Sequence, residues 1–180
     1  MKIAFADPPY LGQAAKHYGK EARAAGRTAR EVNHELLVAY LCGHFDAWAL
    51  SLSAPSLQRI LALCPPEVRV GAWVKPFCAF KKHVNPAYTW EPVIFWGGRR
   101  RTCRQPTTKD HLVESITMRK GLAGAKPVRF CYWLFEVLGA DAADEFTDLF
   151  PGTGIATSSW RAWQRSALRI APELEFDLAL

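Results

Sequence analysis

The feature that most constrains this chain is an apolar run near its start that two consecutive prolines close. Residues 3–6 are all apolar, and Asp7-Pro8-Pro9-Tyr10 follows them directly. Proline has no backbone N–H, fixes its own φ, and pushes the residue before it out of the helical region. We therefore predict a buried strand over residues 2–6, at whose end a carboxylate, two rigid peptide groups and an aromatic ring come together.

The rest of the chain alternates between strand patterns and helix patterns. Strands are predicted near 2–6, 48–53, 68–74, 93–96 and 146–150, and helices near 31–41, 56–63, 127–138 and 155–166. This alternation predicts an α/β fold with a doubly wound, mostly parallel sheet. Such sheets bind ligands beyond the carboxyl ends of their strands. Asp7-Pro8-Pro9-Tyr10 is expected at such an end, although a plain turn is the alternative, because Asp and Pro are common turn residues.

A second motif has the order strand, glycine loop, helix. Phe150-Pro151-Gly152-Thr153-Gly154 joins the strand predicted over 146–150 to the helix predicted from Ile155. Glycines allow a tight turn and a close approach of the backbone to a ligand, and a helix N-terminus offers free N–H groups to an anion. With Asp7-Pro8-Pro9-Tyr10 at another strand end, this motif predicts a ligand site built by two strands.

Length and composition predict one intracellular domain. The 180 residues, 49% of them hydrophobic, suffice for a single substantial core, so we expect one domain over 1–180 without a separate target-recognition domain. No signal-peptide pattern or membrane span is recognisable, which predicts a cytoplasmic location. The five cysteines include no Cys-x-x-Cys pair, so we expect buried free thiols and no metal site.

The charge of the chain favours a polyanionic partner. The formal net charge is +6, and the basic residues are clustered. Arg99, Arg100, Arg101 and Arg104 follow the strand predicted over 93–96, and Lys16 opens a second basic group that extends to Arg30. If the substrate is a nucleic acid, these clusters are expected to bind phosphates, while a solvated loop remains the alternative for any single arginine.

Together the motifs resemble those of the DNA amino methyltransferases that use S-adenosylmethionine (AdoMet), the adenine-specific enzymes in particular. The family hallmarks Asp-Pro-Pro-Tyr and Phe-x-Gly-x-Gly match Asp7-Pro8-Pro9-Tyr10 and Phe150-Pro151-Gly152-Thr153-Gly154, and Lys126-Pro127 resembles a Lys-Pro element that precedes the glycine loop. Their order is the circularly permuted order of the beta class. The chain is also similar to small methylases of actinobacteria and their phages, which implies a bacterial or phage-infected cell.

The resemblance implies a Rossmann-like methyltransferase that flips an adenine out of DNA and methylates its exocyclic amino group in line. The implied catalytic residues are Asp7, Pro8, Pro9 and Tyr10. The implied AdoMet-binding residues are Asp7, Lys126, Pro127, Asp148, Phe150, Gly152, Thr153 and Gly154. The expected DNA contacts are Lys16, Arg99, Arg100, Arg101 and Arg104, and a homodimer is one open arrangement.

Several alternatives stay open at this point. Cytosine, RNA or a protein amide is an alternative substrate, and a catalytically silent protein that binds DNA or AdoMet is a further one. Core packing is the alternative role for Phe150, and helix capping is the alternative role for Asp148. Trp90-Glu91-Pro92 resembles the segment that lines the flipped-base pocket, but strand packing also explains it. A ribose contact is expected from Glu175 or Asp177, on a strand after the glycine loop.

Overall fold

The computed structural model describes residues 1–12, 31–77, 82–103, 106–117 and 125–176, with side chains as far as residue 166. The strands within these ranges are β1 (Lys2–Ala6), β2 (Ala47–Ser51), β3 (Arg69–Val74), β4 (Trp90–Gly97), β5 (His111–Val113) and β6 (Glu145–Asp148). The helices are α1 (His34–His44), α2 (Leu57–Leu61), α3 (Val128–Val137) and α4 (Ile155–Phe176), with a 3-10 turn (Ala54–Ser56) before α2.

The six strands form one sheet in the order β5-β3-β4-β2-β1-β6. β1 is parallel to β2 and β6, and β3 is parallel to β5, whereas β4 is antiparallel to both β2 and β3. Five strands therefore point the same way and β4 is reversed. We call the edge where those five strands end, and where β4 begins, the carboxyl edge, and the opposite edge the amino edge.

Helices cover both faces of the sheet. Alternate residues of β1 face opposite sides, so Ile3 and Phe5 pack with α3 and α4, while Ala4 and Ala6 pack with α1 and α2. The first face is rich in aromatic rings, and the rings of Phe5 and Phe130 lie 5.9 Å apart. Trp160 of α4 is buried in the same cluster, as its helical position suggests. The doubly wound α/β arrangement predicted from the sequence is thus confirmed.

Most element bounds agree with the sequence pattern, with three informative differences. β5 was not predicted, because three residues of mixed exposure leave no readable alternation. β6 ends at Asp148, so Phe150 belongs to the following loop rather than to the strand. α4 continues to Phe176, so the expectation that Glu175 stands on a strand is wrong; Asp177 lies outside the described residues.

The start and end of α3 follow the sequence closely. Pro127 is the N-cap residue, where its missing N–H costs nothing. Gly139 follows the helix with φ +61°, and a Cβ there would come within 2.8 Å of the Arg99 carbonyl oxygen. Only glycine fits this conformation and this contact. Lys126 is thereby fixed directly before a helix whose position is set at both ends.

The thiols differ in part from the expectation. Cys131 is buried and Cys42 and Cys64 are partly buried, but Cys103 is exposed, so the prediction of buried thiols is wrong for that residue. Cys78 lies outside the described residues. Within the described ranges, no helix has the length and apolar character needed to cross a membrane. The same ranges bring no three His, Cys, Asp or Glu residues together as potential metal ligands.

Candidate active site

The two motifs found in the sequence leave the sheet side by side. β1 and β6 are neighbours, with Phe5 paired to Asp148, and the Leu149 N–H donates to the Phe5 carbonyl at 2.9 Å. Asp7-Pro8-Pro9-Tyr10 follows β1 at the carboxyl edge, with Pro8 buried and Asp7 and Tyr10 partly buried. The prediction that both motifs meet at one edge of the sheet is therefore confirmed.

A buried lysine stands at the centre of this edge. The Nζ of Lys126 lies 3.1 Å from Oδ1 of Asp7, 3.1 Å from Oη of Tyr10 and 3.1 Å from Oε2 of Glu91. The side chain is 5% exposed, and its ammonium is also 5.4 Å from the centre of the Trp73 ring. Lys126 was expected near the cofactor loop; among the described residues its polar contacts are with the Asp-Pro-Pro-Tyr motif and Glu91.

Glu91 and Lys75 complete the network. Glu91 belongs to the Trp90-Glu91-Pro92 segment that resembles a flipped-base pocket lining, but neither Glu91 nor Lys75 was predicted as a catalytic or binding residue. The Tyr10 hydroxyl donates to Oε2 of Glu91 at 2.8 Å and lies 3.3 Å from Oγ of Ser51. The Lys75 ammonium forms an ion pair with the other carboxylate oxygen of Glu91. Because β4 is reversed, Glu91 at its start reaches the carboxyl edge. The available sequence signal was that Glu91 is the one charged residue in the otherwise apolar β4.

The network balances two cations against two carboxylates. Burial disfavours the charge of Lys126, but Asp7, Tyr10 and Glu91 outweigh it and raise the pKa of Lys126 well above its usual value. Burial also opposes the charge of Glu91, yet Lys126 and Lys75 lower the pKa of Glu91 to about 2. Burial raises the pKa of Tyr10, so its hydroxyl stays protonated and donates to Glu91.

This balance predicts a loss of stability in acid. The pKa of Glu91 falls from its usual 4.5 to about 2 on folding, so its stabilising effect is complete above about pH 4.5 and is lost as the pH falls towards 2. We expect the free energy of unfolding, from urea titrations at several pH values, to decrease in this window. The decrease should be shallower for Glu91→Gln, and equal pH slopes for the variant and the wild type would contradict the assignment.

The glycine loop has the backbone that its sequence predicts. Gly152 and Gly154 have φ values of +46° and +73°, in the left-handed region that L-residues with a Cβ avoid. A Cβ at Gly154 would meet no atom within 4 Å, so conformation rather than crowding requires glycine there. α4 begins at Ile155, directly after the loop. Thr153 is exposed, and Phe150 packs against the core on the α1 side of the sheet.

Asp148 presents a carboxylate oxygen without a partner. Its Oδ2 lies 3.4 Å from Oγ1 of Thr157 in the first turn of α4, so capping accounts for that oxygen. Its Oδ1 is buried and has no hydrogen-bond donor among the described residues. Burial raises the pKa of Asp148, and it outweighs hydrogen bonds from the Phe150 N–H and from Thr157, which lower that pKa; the nearby Asp7 adds to the rise. A buried acceptor of this kind fits a cationic donor such as the methionine ammonium group of AdoMet.

The arginine cluster lies away from this site. β4 runs from the carboxyl edge to the amino edge, so Arg99, Arg100 and Arg101 follow its far end, roughly 25 Å along the strand. Arg99 binds Asp144 and the Gly139 carbonyl. Arg101 donates to the carbonyls of Pro106 and Glu136, and Arg100 is exposed. The structure thus does not bring these arginines together with Asp7; Lys16 and Arg104 lie outside the described residues.

Comparison with known proteins gives a structural likeness only. No protein-family model and no curated protein matches the chain. Among solved structures, the crystal structure of the M1.HpyAVI-SAM complex is similar, with a TM-score of 0.59, 11% sequence identity, and coverage of 91% of this chain and 78% of that chain. At this identity the likeness shows the fold alone. The Rossmann-like α/β fold predicted from the sequence is thereby confirmed, whereas the circular permutation remains a prediction.

Proposed function

We propose that this protein transfers the methyl group of AdoMet to the exocyclic amino group of adenine in DNA. The observation that carries the proposal is the pairing of β1 with β6, which puts the Asp7 carboxylate and the glycine loop at neighbouring strand ends. The fold shared with M1.HpyAVI, a protein solved as its SAM complex, supports the same cofactor. The permuted beta-class order and a single domain over 1–180 are part of this proposal.

The proposed cofactor site lies around the loop after β6. AdoMet, when bound, supplies a methyl group on a positively charged sulfur. The unpartnered Oδ1 of Asp148 would accept from the methionine ammonium, and the left-handed Gly152 and Gly154 let the backbone approach the cofactor. Phe150 and Thr153 complete the loop. Lys126 and Pro127 act indirectly in this account, because Lys126 positions Asp7 and Pro127 begins α3.

Gly154→Ala tests this loop. At φ +73° an alanine costs about 1–2 kcal/mol, so we expect the loop to shift and the AdoMet Kd, from isothermal titration calorimetry, to rise about 5- to 30-fold. Gly43→Ala is the matched control, because Gly43 lies in α1 without positive φ and a Cβ there has open space. Equal AdoMet affinities for Gly154→Ala and the wild type would contradict the role of the loop.

The proposed chemistry follows from the weak nucleophilicity of the adenine amine, whose lone pair is delocalised into the ring. In the proposed reaction the Asp7 carboxylate and the Pro8 carbonyl accept from the amine and favour a more tetrahedral nitrogen. Flipping the base costs a few kcal/mol, and stacking on Tyr10 returns about 1–3 kcal/mol. Glu91 and Lys126 hold the Tyr10 hydroxyl, which fixes the ring for that stacking. Catalysis then consists mainly of positioning and electrostatics.

The test is the transfer of labelled methyl from AdoMet to duplex DNA, single-stranded DNA and RNA, followed by nucleoside analysis. We expect N6-methyladenine in DNA. Label in cytosine, in RNA or in protein would identify another amino methyltransferase and reject adenine specificity. AdoMet binding with no transfer to any nucleic acid would reject the proposed activity. Size measurement of the protein with and without DNA tests the proposed homodimer.

A further inference from the structure

The carboxyl edge carries exposed aromatic side chains that the proposed reaction does not use. Phe77, Tyr88 and Trp90 are 62%, 52% and 36% exposed. Phe77 follows β3, Tyr88 precedes β4, and Trp90 is the first residue of β4. We call these three side chains the aromatic surface. Three large exposed rings at the same edge of one sheet form a candidate interaction site.

The backbone joins the aromatic surface to the buried network. Val74 pairs with Trp90, and the Lys75 N–H donates to the Thr89 carbonyl at 2.7 Å. Phe77 lies two residues after Lys75, and Tyr88 lies one residue before Thr89. Glu91, which accepts from the Tyr10 hydroxyl, directly follows Trp90. The aromatic surface therefore begins one residue along β4 from a side chain that contacts Tyr10, at the same carboxyl edge.

The charge of the segment between β3 and β4 indicates which kind of partner the aromatic surface binds. Lys75 is paired with Glu91, but from Pro76 to Thr89 the sequence has two further lysines, one histidine and no acidic residue. Lys82 and His83 are both exposed. Exposed rings beside cations are the combination that binds single strands, because the rings stack on bases and the cations attract phosphates. In a duplex the bases are stacked on one another, so their faces are not available to stack on these aromatic rings.

We infer that the aromatic surface binds an unpaired DNA strand next to the target base, with bases stacked on Phe77 and Tyr88 and a phosphate near Lys82. The inference rests on the proposed function and makes its substrate single-stranded or locally melted DNA. Such a substrate also removes the cost of extracting the target base from a duplex, since an unpaired base is the least costly to expose.

The test compares the affinities of Phe77→Ser/Tyr88→Ser and the wild type by fluorescence anisotropy, with one labelled sequence as single-stranded DNA, as duplex DNA and as RNA. We expect the Kd for the single strand to rise at least about tenfold in the double variant, and the Kd for the duplex to change less than about threefold. Tyr40→Ser is the matched control, because Tyr40 is 44% exposed on α1, and it should bind like the wild type.

Three results would overturn the inference: an unchanged single-strand Kd in the double variant, an equal loss in Tyr40→Ser, or tighter binding of RNA than of DNA of the same sequence. Methyl transfer, measured in parallel, separates the two proposals. If transfer is absent but single-strand affinity depends on Phe77 and Tyr88, the activity is rejected and the surface stands. If transfer occurs and the double variant binds the single strand normally, the surface is rejected and the activity stands.

Discussion

Asp7→Ala is expected to reduce methyl transfer about 10²- to 10³-fold, a loss like that caused by removing a single group that stabilises transition-state charge. The carboxylate accepts from the adenine amine as its nitrogen gains positive charge, so its contribution grows towards the transition state. The loss should therefore fall mainly on kcat and less on the KM for DNA. Steady-state rates over a range of DNA concentrations measure both.

The control for Asp7→Ala is Asp110→Ala. Asp110 precedes β5, has a largely exposed side chain and makes no contact with the network around Lys126 among the described residues. We expect its activity to equal that of the wild type. Far-UV circular dichroism must show that Asp7→Ala is folded, because Asp7 also pairs with Lys126. A folded Asp7→Ala that methylates DNA within about tenfold of the wild-type rate would contradict a catalytic role.

Lys126→Met is expected to have the largest effect on stability, about 3–5 kcal/mol. The substitution preserves much of the side-chain volume but removes the cation shared by Asp7 and Glu91. Glu91 then stays partly buried with Lys75 as its remaining cation, and the Tyr10 hydroxyl loses one of its partners. This loss is a large share of the 5–15 kcal/mol that typically holds a domain together, and urea unfolding at neutral pH measures it.

Two further variants test whether the loss in Lys126→Met comes from the buried network. Arg129→Met removes an exposed cation that pairs with Glu114, and it should cost less than about 1 kcal/mol. Lys126→Met/Glu91→Gln removes one charge of each sign, so it should be more stable than the sum of the two single losses indicates. A cost below about 1 kcal/mol for Lys126→Met, or strict additivity in the double variant, would contradict the buried network.

Local sequence patterns were enough to predict the two motif-bearing strand ends and their meeting at one edge. Asp7-Pro8-Pro9-Tyr10 ends a strand because proline cannot continue it, and the glycines after β6 adopt positive φ. Both effects act over a few residues. Parallel strands end at the same edge, so the alternating α/β pattern predicts that both motifs lie at one edge, and the pairing of β1 with β6 brings them together there.

Local sequence patterns could not predict at which edge of the sheet the arginines lie. Arg99, Arg100 and Arg101 follow an apolar strand as Asp7 does, yet β4 is antiparallel and delivers them to the amino edge. Strand direction depends on pairing with β2 and β3, which no pattern within β4 specifies. The same reversal carries Glu91 to the carboxyl edge. The reversed direction of β4, which the sequence does not show, thus explains why the arginines lie far from Asp7. It also explains why Glu91 was not predicted as a catalytic or binding residue.

The network around Lys126 depends on contacts between residues far apart in the chain. Lys126 meets Tyr10 across 116 positions and Glu91 across 35. The sequence marks Lys126 by its place before Pro127, but it gives no sign that the ammonium faces the Asp-Pro-Pro-Tyr motif. Buried charges need paired partners, but the burial of Lys126 itself results from these distant contacts, so the sequence did not predict the ionic network.

The central claim is that the Asp-Pro-Pro-Tyr motif and the glycine loop form a single methyl-transfer site. The most direct measurement is a crystal structure of the protein grown with AdoMet. We expect the methionine ammonium at Oδ1 of Asp148, the cofactor against Gly152 and Gly154, and the sulfonium methyl facing Asp7 and Tyr10. AdoMet bound elsewhere, or bound at the loop with its methyl directed away from Asp7, would contradict it.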